Sequence, residues 1–192
     1  MQIGLYFGSF NPVHTGHLII AEHVVSNTPL DQVWLVVSPQ NPLKPSASLL
    51  NEYNRLNLAN LAIQDNEKLK VSDVEFKLPK PSYTIDTLTY LREKYPQHSF
   101  TVIMGSDSYL NLQRWKNYEV LIRDYNFIIY ERPAFPVDNS ALPQNFILLN
   151  APLLDISSTF IREQVKKGNS IRYLVADAVA REIADNGYYK AK

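Results

Sequence analysis

The sequence predicts an α/β fold, a doubly wound parallel sheet covered by helices on both faces, with a small helical subdomain at its C-terminal end. Three observations predict it. Short runs rich in β-branched and aromatic residues alternate with segments of helical period through residues 1–150, as in successive strand–helix units. The first run empties into a turn built on Gly8, Pro12 and Gly16 before a helix-like segment. After Leu149 the strand-like runs stop and two helical patterns remain.

Taken in order, Ile3 to Phe7 opens the sheet, and Leu18 to Val25 has the spacing of a first helix. Val33 to Val37 is a second strand, Leu49 to Ile63 a second helix and Val71 to Phe76 a third strand. Ile85 to Lys94 reads as a helix, Phe100 to Met104 as a strand, and a pair of helices is expected around Tyr109 to Ile122. Phe127 to Tyr130 and Phe146 to Leu149 complete the strands. Ser38 to Ser48 and Arg132 to Gln144, with their prolines and small polar residues, read as irregular surface connections with freedom to move. The tail should hold helices over Ser157 to Lys167 and Tyr173 to Ala184. No internal repeat appears, and neither connection is long enough to separate independent domains. The expectation is one domain over residues 1–192, with an α/β core at 1–150 and a helical part at 151–192. In such a Rossmann-like sheet, ligands sit at the carboxyl ends of strands near a switch in strand order, and the first turn lies at such an end.

Composition excludes several classes of function. At 192 residues the chain can bury about two-thirds of the surface its unfolded form exposes, and needs no covalent staple. Lys plus Arg and Asp plus Glu both number 19, giving zero formal charge, so no broad field exists to attract a nucleic acid backbone. Absence of cysteine removes disulfides and thiol chemistry. No charged-then-apolar leader precedes the first strand, and no apolar run reaches the ~20 residues of a membrane span. A soluble cytoplasmic protein without nucleic acid or membrane partners is expected. Equal charge counts do not fix subunit number, and a homo-oligomer stays open.

The chemistry concentrates in Gly8-Ser9-Phe10-Asn11-Pro12-Val13-His14-Thr15-Gly16-His17. The first N–H groups of a helix lack intrahelical acceptors and sit at the positive end of its dipole, where anions settle. Gly8 lets the chain turn and approach a ligand, Pro12 stiffens the loop, and Gly16 leaves room beside the two imidazoles. Each imidazole can donate to a phosphate oxygen, more strongly when protonated. The same His-x-x-His spacing also serves as a helix cap, a core pair or part of a zinc site. Zinc would need further ligands, and the chain offers only His23 and His98 besides, with no cysteine. A second cluster, Ile156-Ser157-Ser158-Thr159-Phe160-Ile161-Arg162, opens a helix with three hydroxyls and places an arginine in its early turns. It suits either a plain helix cap or a second anion site.

Together these two segments resemble the nucleotidylyltransferase superfamily, in which G-[TS]-F-[DN]-P-x-H-x-G-H pairs with a late I-S-S-T-x-I-R. Within it the chain is most similar to the nicotinate mononucleotide adenylyltransferase family. The likeness extends through Ser82-Tyr83-Thr84-Ile85-Asp86-Thr87-Leu88, Met104-Gly105-Ser106-Asp107 and Trp115. The resemblance implies transfer of AMP from ATP to nicotinate mononucleotide, giving deamido-NAD and pyrophosphate by in-line attack without a covalent intermediate. It implies Mg²⁺, bound mainly through substrate phosphates and assigned no protein side chain. His14, His17, Lys44 and Arg162 would be the catalytic residues. Gly8, Ser9, Phe10, His14, His17, Gly105, Asp107, Ile156, Ser157, Ser158, Thr159 and Arg162 would bind ATP. Ser9, Lys44, Tyr83, Thr84 and Trp115 would bind the acceptor, Trp115 by stacking on its pyridine ring and Tyr83 and Thr84 through backbone N–H groups.

Outside the resemblance, Lys44 reads equally as a solvated lysine, Asp107 as a helix N-cap and Trp115 as core. Leu43 stands where relatives often carry histidine, and Ser9 and Asn11 replace the frequent Thr and Asp. Pantetheine-phosphate adenylyltransferases share the scaffold and the Gly-His but usually carry a non-histidine at the position of His14. Cytidylyltransferases carry a different late motif, and class I aminoacyl-tRNA synthetases a K-M-S-K-S segment that this chain lacks. Nicotinamide mononucleotide as acceptor, with pantetheine-phosphate adenylyl transfer behind it, and a nucleotide sensor without turnover are the alternatives.

Overall fold

The computed structural model describes residues 1–40 and 49–191. In chain order its strands and helices are β1 (Gln2–Gly8), α1 (Thr15–Asn27), β2 (Gln32–Val37), α2 (Glu52–Ile63), β3 (Leu69–Ser72), α3 (Thr84–Lys94), β4 (Ser99–Gly105), α4 (Ser106–Tyr109), α5 (Tyr118–Asp124), β5 (Asn126–Tyr130), β6 (Phe146–Leu149), α6 (Ser158–Lys166) and α7 (Asp177–Asp185). Short 3₁₀ turns lie at Val74–Lys77, Leu112–Arg114 and Asn139–Ala141. The six strands form one sheet in the order β3-β2-β1-β4-β5-β6, and every pair is parallel.

Side-chain alternation along the strands divides the core between the two faces. Tyr6, Val33, Leu35, Val37, Ile103 and Ile128 point to the side covered by α1, α2 and α7, where they meet Ala21, Val24, Leu58, Ala59, Val179 and Ile183. Ile3, Leu5, Val36, Val102, Met104, Phe127 and Ile129 point to the other side and pack on Leu88 and Leu91 of α3 and Leu121 of α5. Period-two alternation of buried residues on both faces is what a central parallel sheet requires. Full burial of each such aliphatic side chain stabilises the fold by about 1.5–3 kcal/mol.

Strand order reverses between β1 and β4, which pair in register through Tyr6 and Ile103. Gly8 and Gly105 end these two strands on the same edge of the sheet. That edge is the switch-point crevice where open α/β sheets hold ligands.

Several boundaries differ from the sequence expectation for local reasons. The third strand stops at Ser72 rather than Phe76, because the chain turns at Asp73 into a 3₁₀ turn that carries Glu75 into the interior. Helix α2 begins at Glu52 rather than Leu49, set by Asn51, whose side chain accepts from Tyr53 N at 2.9 Å. The last helix starts at Asp177, not Tyr173. Tyr173 has φ +68°, and its segment is tied to α1 instead: Leu174 O accepts from Thr15 N at 2.9 Å and Tyr173 O from Thr15 Oγ1 at 3.1 Å. Among the described residues, no helix is long and apolar enough to cross a membrane.

Candidate active site

The turn after β1 is shaped by its own side chains. Phe10, not Gly8, takes the left-handed backbone conformation, at φ +45°, and the Asn11-Pro12 bond is cis. Phe10 is fully buried, and a Cβ on Gly8 would meet its ring at 2.8 Å. The absence of a side chain at Gly8 therefore makes room first for Phe10. At Gly16 the expected reason holds, since a Cβ there would meet the His14 ring at 3.1 Å.

His14 is the N-cap of α1, and His17 lies in its first turn. Their rings stack, with centroids 3.6 Å apart. His14 N donates to His17 Nδ1 at 3.2 Å, so a neutral His17 carries its proton on Nε2. Phe10 and Tyr6 hold that ring edge-on at 5.0 and 6.1 Å. His14 is buried, and its Nδ1 has no hydrogen-bond partner. Burial, and secondarily the positive charge of Arg132, lower its pKa from 6.5 to about 4. His14 therefore faces the site as a neutral imidazole near neutral pH. Part of the helix N-terminus is already satisfied: Thr15 N–H donates to Leu174 O and His17 N–H to His14 O, both at 2.9 Å. Any anion here relies on side chains more than the backbone argument alone suggests.

The late cluster comes to the same place. Ser157 caps α6, its hydroxyl accepting from Phe160 N at 3.1 Å. Ser158 Oγ donates to Pro12 O at 2.9 Å, and Arg162 Nη1 donates to Asn11 O at 2.8 Å. Arg162 Nη2 also reaches Thr159 Oγ1 at 3.2 Å. Ile156 packs, half-buried, against the core on the α1 side. Cap and anchor are thus both present, and the guanidinium of Arg162 lies over the loop that leads to His14.

Beyond β4, Asp107 sits in the first turn of the four-residue α4, whose N-cap is Gly105, so the capping role does not fall to Asp107. Its Oδ1 lies 3.2 Å from Arg132 Nε. Arg132 Nη2 donates to the Tyr130 hydroxyl at 3.3 Å, and that hydroxyl meets Tyr6 OH at 3.3 Å. A polar path therefore leads from Asp107 through Arg132 and Tyr130 to the Tyr6 hydroxyl, and the Tyr6 ring in turn meets His17 edge-on. Sequence reasoning missed Arg132, treating it as the start of a surface connection. Its position two residues past β5, on the edge that carries the switch point, was the signal available.

Tyr83 and Thr84 open α3 as N-cap and first residue. Trp115 is half-buried and, with Tyr83 and Tyr109, flanks the core beneath α3 and α5. Lys116 joins the two segments, its Nζ 5.0 Å from the Tyr83 ring centroid and 2.8 Å from Asp86 Oδ2. Ser9 bears on both groups of residues, since its carbonyl is held from below by Arg55. Lys44 lies outside the described residues. No cluster of three or more His, Cys, Asp or Glu suited to a metal ion occurs among the described residues.

The Cytidylyltransferase-like family model matches residues 5–164. The "Probable nicotinate-nucleotide adenylyltransferase" of Cytophaga hutchinsonii is 51% identical over 191 residues, covering 98% of both chains. That of Flavobacterium psychrophilum is 48% identical over 192 residues, covering 99% of this chain and 100% of its own. Among solved structures, the Plasmodium falciparum nicotinic acid mononucleotide adenylyltransferase complexed with NaAD superposes with a TM-score of 0.84 at 25% identity, over 98% of this chain and 97% of that one.

Proposed function

The chain belongs to the cytidylyltransferase-like family with the activity of a nicotinate-nucleotide adenylyltransferase, and we propose that His14, His17 and Arg162 carry the transfer of AMP from ATP to nicotinate mononucleotide. The observation that carries this reading is the meeting of two distant segments. Ser158 and Arg162 hydrogen bond to the carbonyls of Pro12 and Asn11, in the loop that leads to the stacked histidines.

The attacking atom is a phosphate oxygen of the acceptor, already anionic, so no residue has to remove a proton from it. It bonds to the α-phosphorus of ATP as the bond to pyrophosphate breaks, giving deamido-NAD with no covalent intermediate. Charge grows on the oxygens around the α-phosphorus and on the departing pyrophosphate. Donors fixed beforehand stabilise that charge most. His17, whose Nδ1 accepts from the backbone and so places its donor on Nε2, suits the α-phosphate. Arg162, with Ser157, Ser158 and Thr159 around it, suits the β and γ phosphates, and the resemblance assigns Lys44 to the phosphates as well. His14 contributes a neutral imidazole whose unpartnered Nδ1 is open to a ligand hydrogen bond. Asp107, held by Arg132, offers a carboxylate oxygen to the hydroxyls or amine of the ATP nucleoside.

Mg²⁺ fits this donor set as a companion of the substrate. The side chains gathered here are imidazoles, hydroxyls and guanidiniums, with Asp107 already facing an arginine, whereas Mg²⁺ takes oxygen ligands and keeps water and substrate phosphates. Bound through the phosphates, it supplies charge neutralisation across them.

For the acceptor, Trp115 stacks on the pyridine ring and the α3 N-terminus at Tyr83 and Thr84 receives its carboxylate. That N-terminus favours an anion over an amide. Likeness to the nicotinate-nucleotide adenylyltransferases supports a cytoplasmic place of action. The test is pyrophosphate release with ATP and Mg²⁺, comparing kcat/KM for nicotinate mononucleotide, nicotinamide mononucleotide and phosphopantetheine. Preference for the nicotinate form is expected. Preference for the nicotinamide form would overturn the carboxylate-binding turn, and binding of ATP without release would leave a sensor.

A further inference from the structure

Two fully buried charged side chains lie beneath the site, do not pair with each other, and have no side-chain contact with the groups assigned to the chemistry. Arg55 of α2 is 1% exposed. It spends its guanidinium wholly on backbone carbonyls: Nε donates to Leu50 O at 2.8 Å, Nη1 to Ser38 O at 2.8 Å and to Ser9 O at 2.5 Å, and Nη2 to Pro39 O at 3.1 Å. No carboxylate is among these partners. Glu75 is 2% exposed and takes hydroxyls: Ser82 Oγ donates to Oε2 at 2.6 Å and Thr87 Oγ1 to Oε1 at 3.0 Å, with the Ser38 side chain near enough to favour the charged carboxylate.

Ser38 is the shared element, since its carbonyl is held by Arg55 and its side chain lies beside the Glu75 carboxylate. Burying each charge is expensive, and a direct ion pair would have been the simpler arrangement. Instead the two groups face opposite ways. Arg55 reaches the nucleotide turn at Ser9, and Glu75 reaches Ser82 and Thr87 on either side of the acceptor turn at Tyr83 and Thr84. The line Ser9–Arg55–Ser38–Glu75–Ser82 runs from one proposed substrate subsite to the other through the C-terminal end of β2.

We propose that Arg55, Ser38 and Glu75 form a buried strut that sets the spacing and orientation of the ATP and acceptor subsites, making Arg55 and Glu75 positioning residues of the transfer reaction. This rests on the two-substrate reading of the preceding section. A strut of this kind acts on the angle and distance of attack, the quantity to which an in-line reaction is most sensitive, with misplacement of about 1 Å reducing rate about a hundredfold. It acts little on the affinity for either substrate taken singly.

The experiment measures kcat, both KM values and the melting temperature for wild type, Arg55→Lys, Glu75→Gln, Ser38→Ala and the Arg55→Lys/Glu75→Gln double variant, all assayed well below their melting points. Arg55→Lys and Glu75→Gln should each lower kcat by about tenfold to a hundredfold, with each KM within about threefold of wild type. The double variant should be no slower than the slower single one, because a strut broken once is broken. Ser38→Ala removes one hydroxyl and leaves its carbonyl on Arg55, so it is the variant that keeps the fold if the charged ones do not; its kcat should fall by about threefold to tenfold. Unchanged kcat in Ser38→Ala, or losses in Arg55→Lys and Glu75→Gln that multiply in the double variant, would overturn the strut. Wild-type turnover measured alongside separates the two readings: turnover with an unaffected Ser38→Ala refutes the strut alone, whereas a wild type that turns over no acceptor refutes both.

Discussion

Changing the pH around His14 isolates the electrostatics of the nucleotide turn from everything else in the molecule. Burial, with Arg132 second, lowers the His14 pKa from 6.5 to about 4, so the unfolded chain binds this proton more readily than the folded one. The corresponding stability is fully present above about pH 6.5 and is lost as pH falls toward 4. At 1.36 kcal/mol per unit, the whole shift amounts to about 3.4 kcal/mol, of which about 2 kcal/mol is lost between about pH 8 and about pH 5. Burial also raises the Glu75 carboxyl above its ordinary value, so the comparison is with His14→Gln, which removes only the His14 contribution. Urea unfolding of both proteins at the two pH values should show wild type losing about 2 kcal/mol more than the variant. Equal losses would refute the reasoning, and so would a His14 ring resonance that titrates near 6.5 by NMR. Arg132→Gln should recover only the smaller part of the shift, since burial is the larger cause.

Gly8→Ala forces a Cβ against the Phe10 ring, which has no free volume to move into; about 1–3 kcal/mol of stability should be lost, and kcat should fall because Phe10 supports His17, as a thermal melt and a turnover assay would show together. Trp115→Ala should raise KM for nicotinate mononucleotide by about fivefold to 150-fold, the equivalent of about 1–3 kcal/mol of stacking, with KM for ATP unmoved; a shift in the ATP value instead would place the indole elsewhere. Arg132→Gln should raise KM for ATP by roughly tenfold through release of Asp107 while changing the melting temperature little, because both members of the pair are partly exposed and such pairs contribute about 0–1 kcal/mol. An unchanged KM would remove Arg132 from the site.

Most of the sheet was legible because its signal is local. The central strands bury both faces, so Val33 to Val37 or Phe127 to Tyr130 announces itself without reference to the rest of the chain. The third strand was overrun because Val74 and Phe76 look like strand residues, while the feature that ends the strand, Glu75 turning inward, is satisfied by Ser82 and Thr87 and is tertiary in origin. The start of α7 was missed for the same reason, since Tyr173 and Leu174 give their carbonyls to Thr15 at the other end of the sequence. At the site, Ser157 and the two histidines stood out by spacing, and the structure joins their segments. Arg132 did not, because an arginine before a proline in a polar stretch looks like any surface residue. Arg55 carried a fainter sign: it shares the buried stripe of α2 with Leu58, Ala59 and Ile63, and a charge at helical spacing among apolar residues has to be satisfied by something the helix itself does not contain.

The contacts of Asn11 make the nucleotide turn a long-range product of the fold. Its carbonyl accepts from Arg162, and its side-chain oxygen accepts from Leu50 N at 3.1 Å and from the Tyr189 hydroxyl at 2.9 Å. Strand pairing can build the sheet from neighbouring strand–helix units, whereas the turn needs groups from α6 and from the segment after α7 before all of its bonds exist. The pocket is therefore knitted from both ends of the described chain, and loosening the segment around Tyr189 should be felt at a loop 178 residues away in sequence.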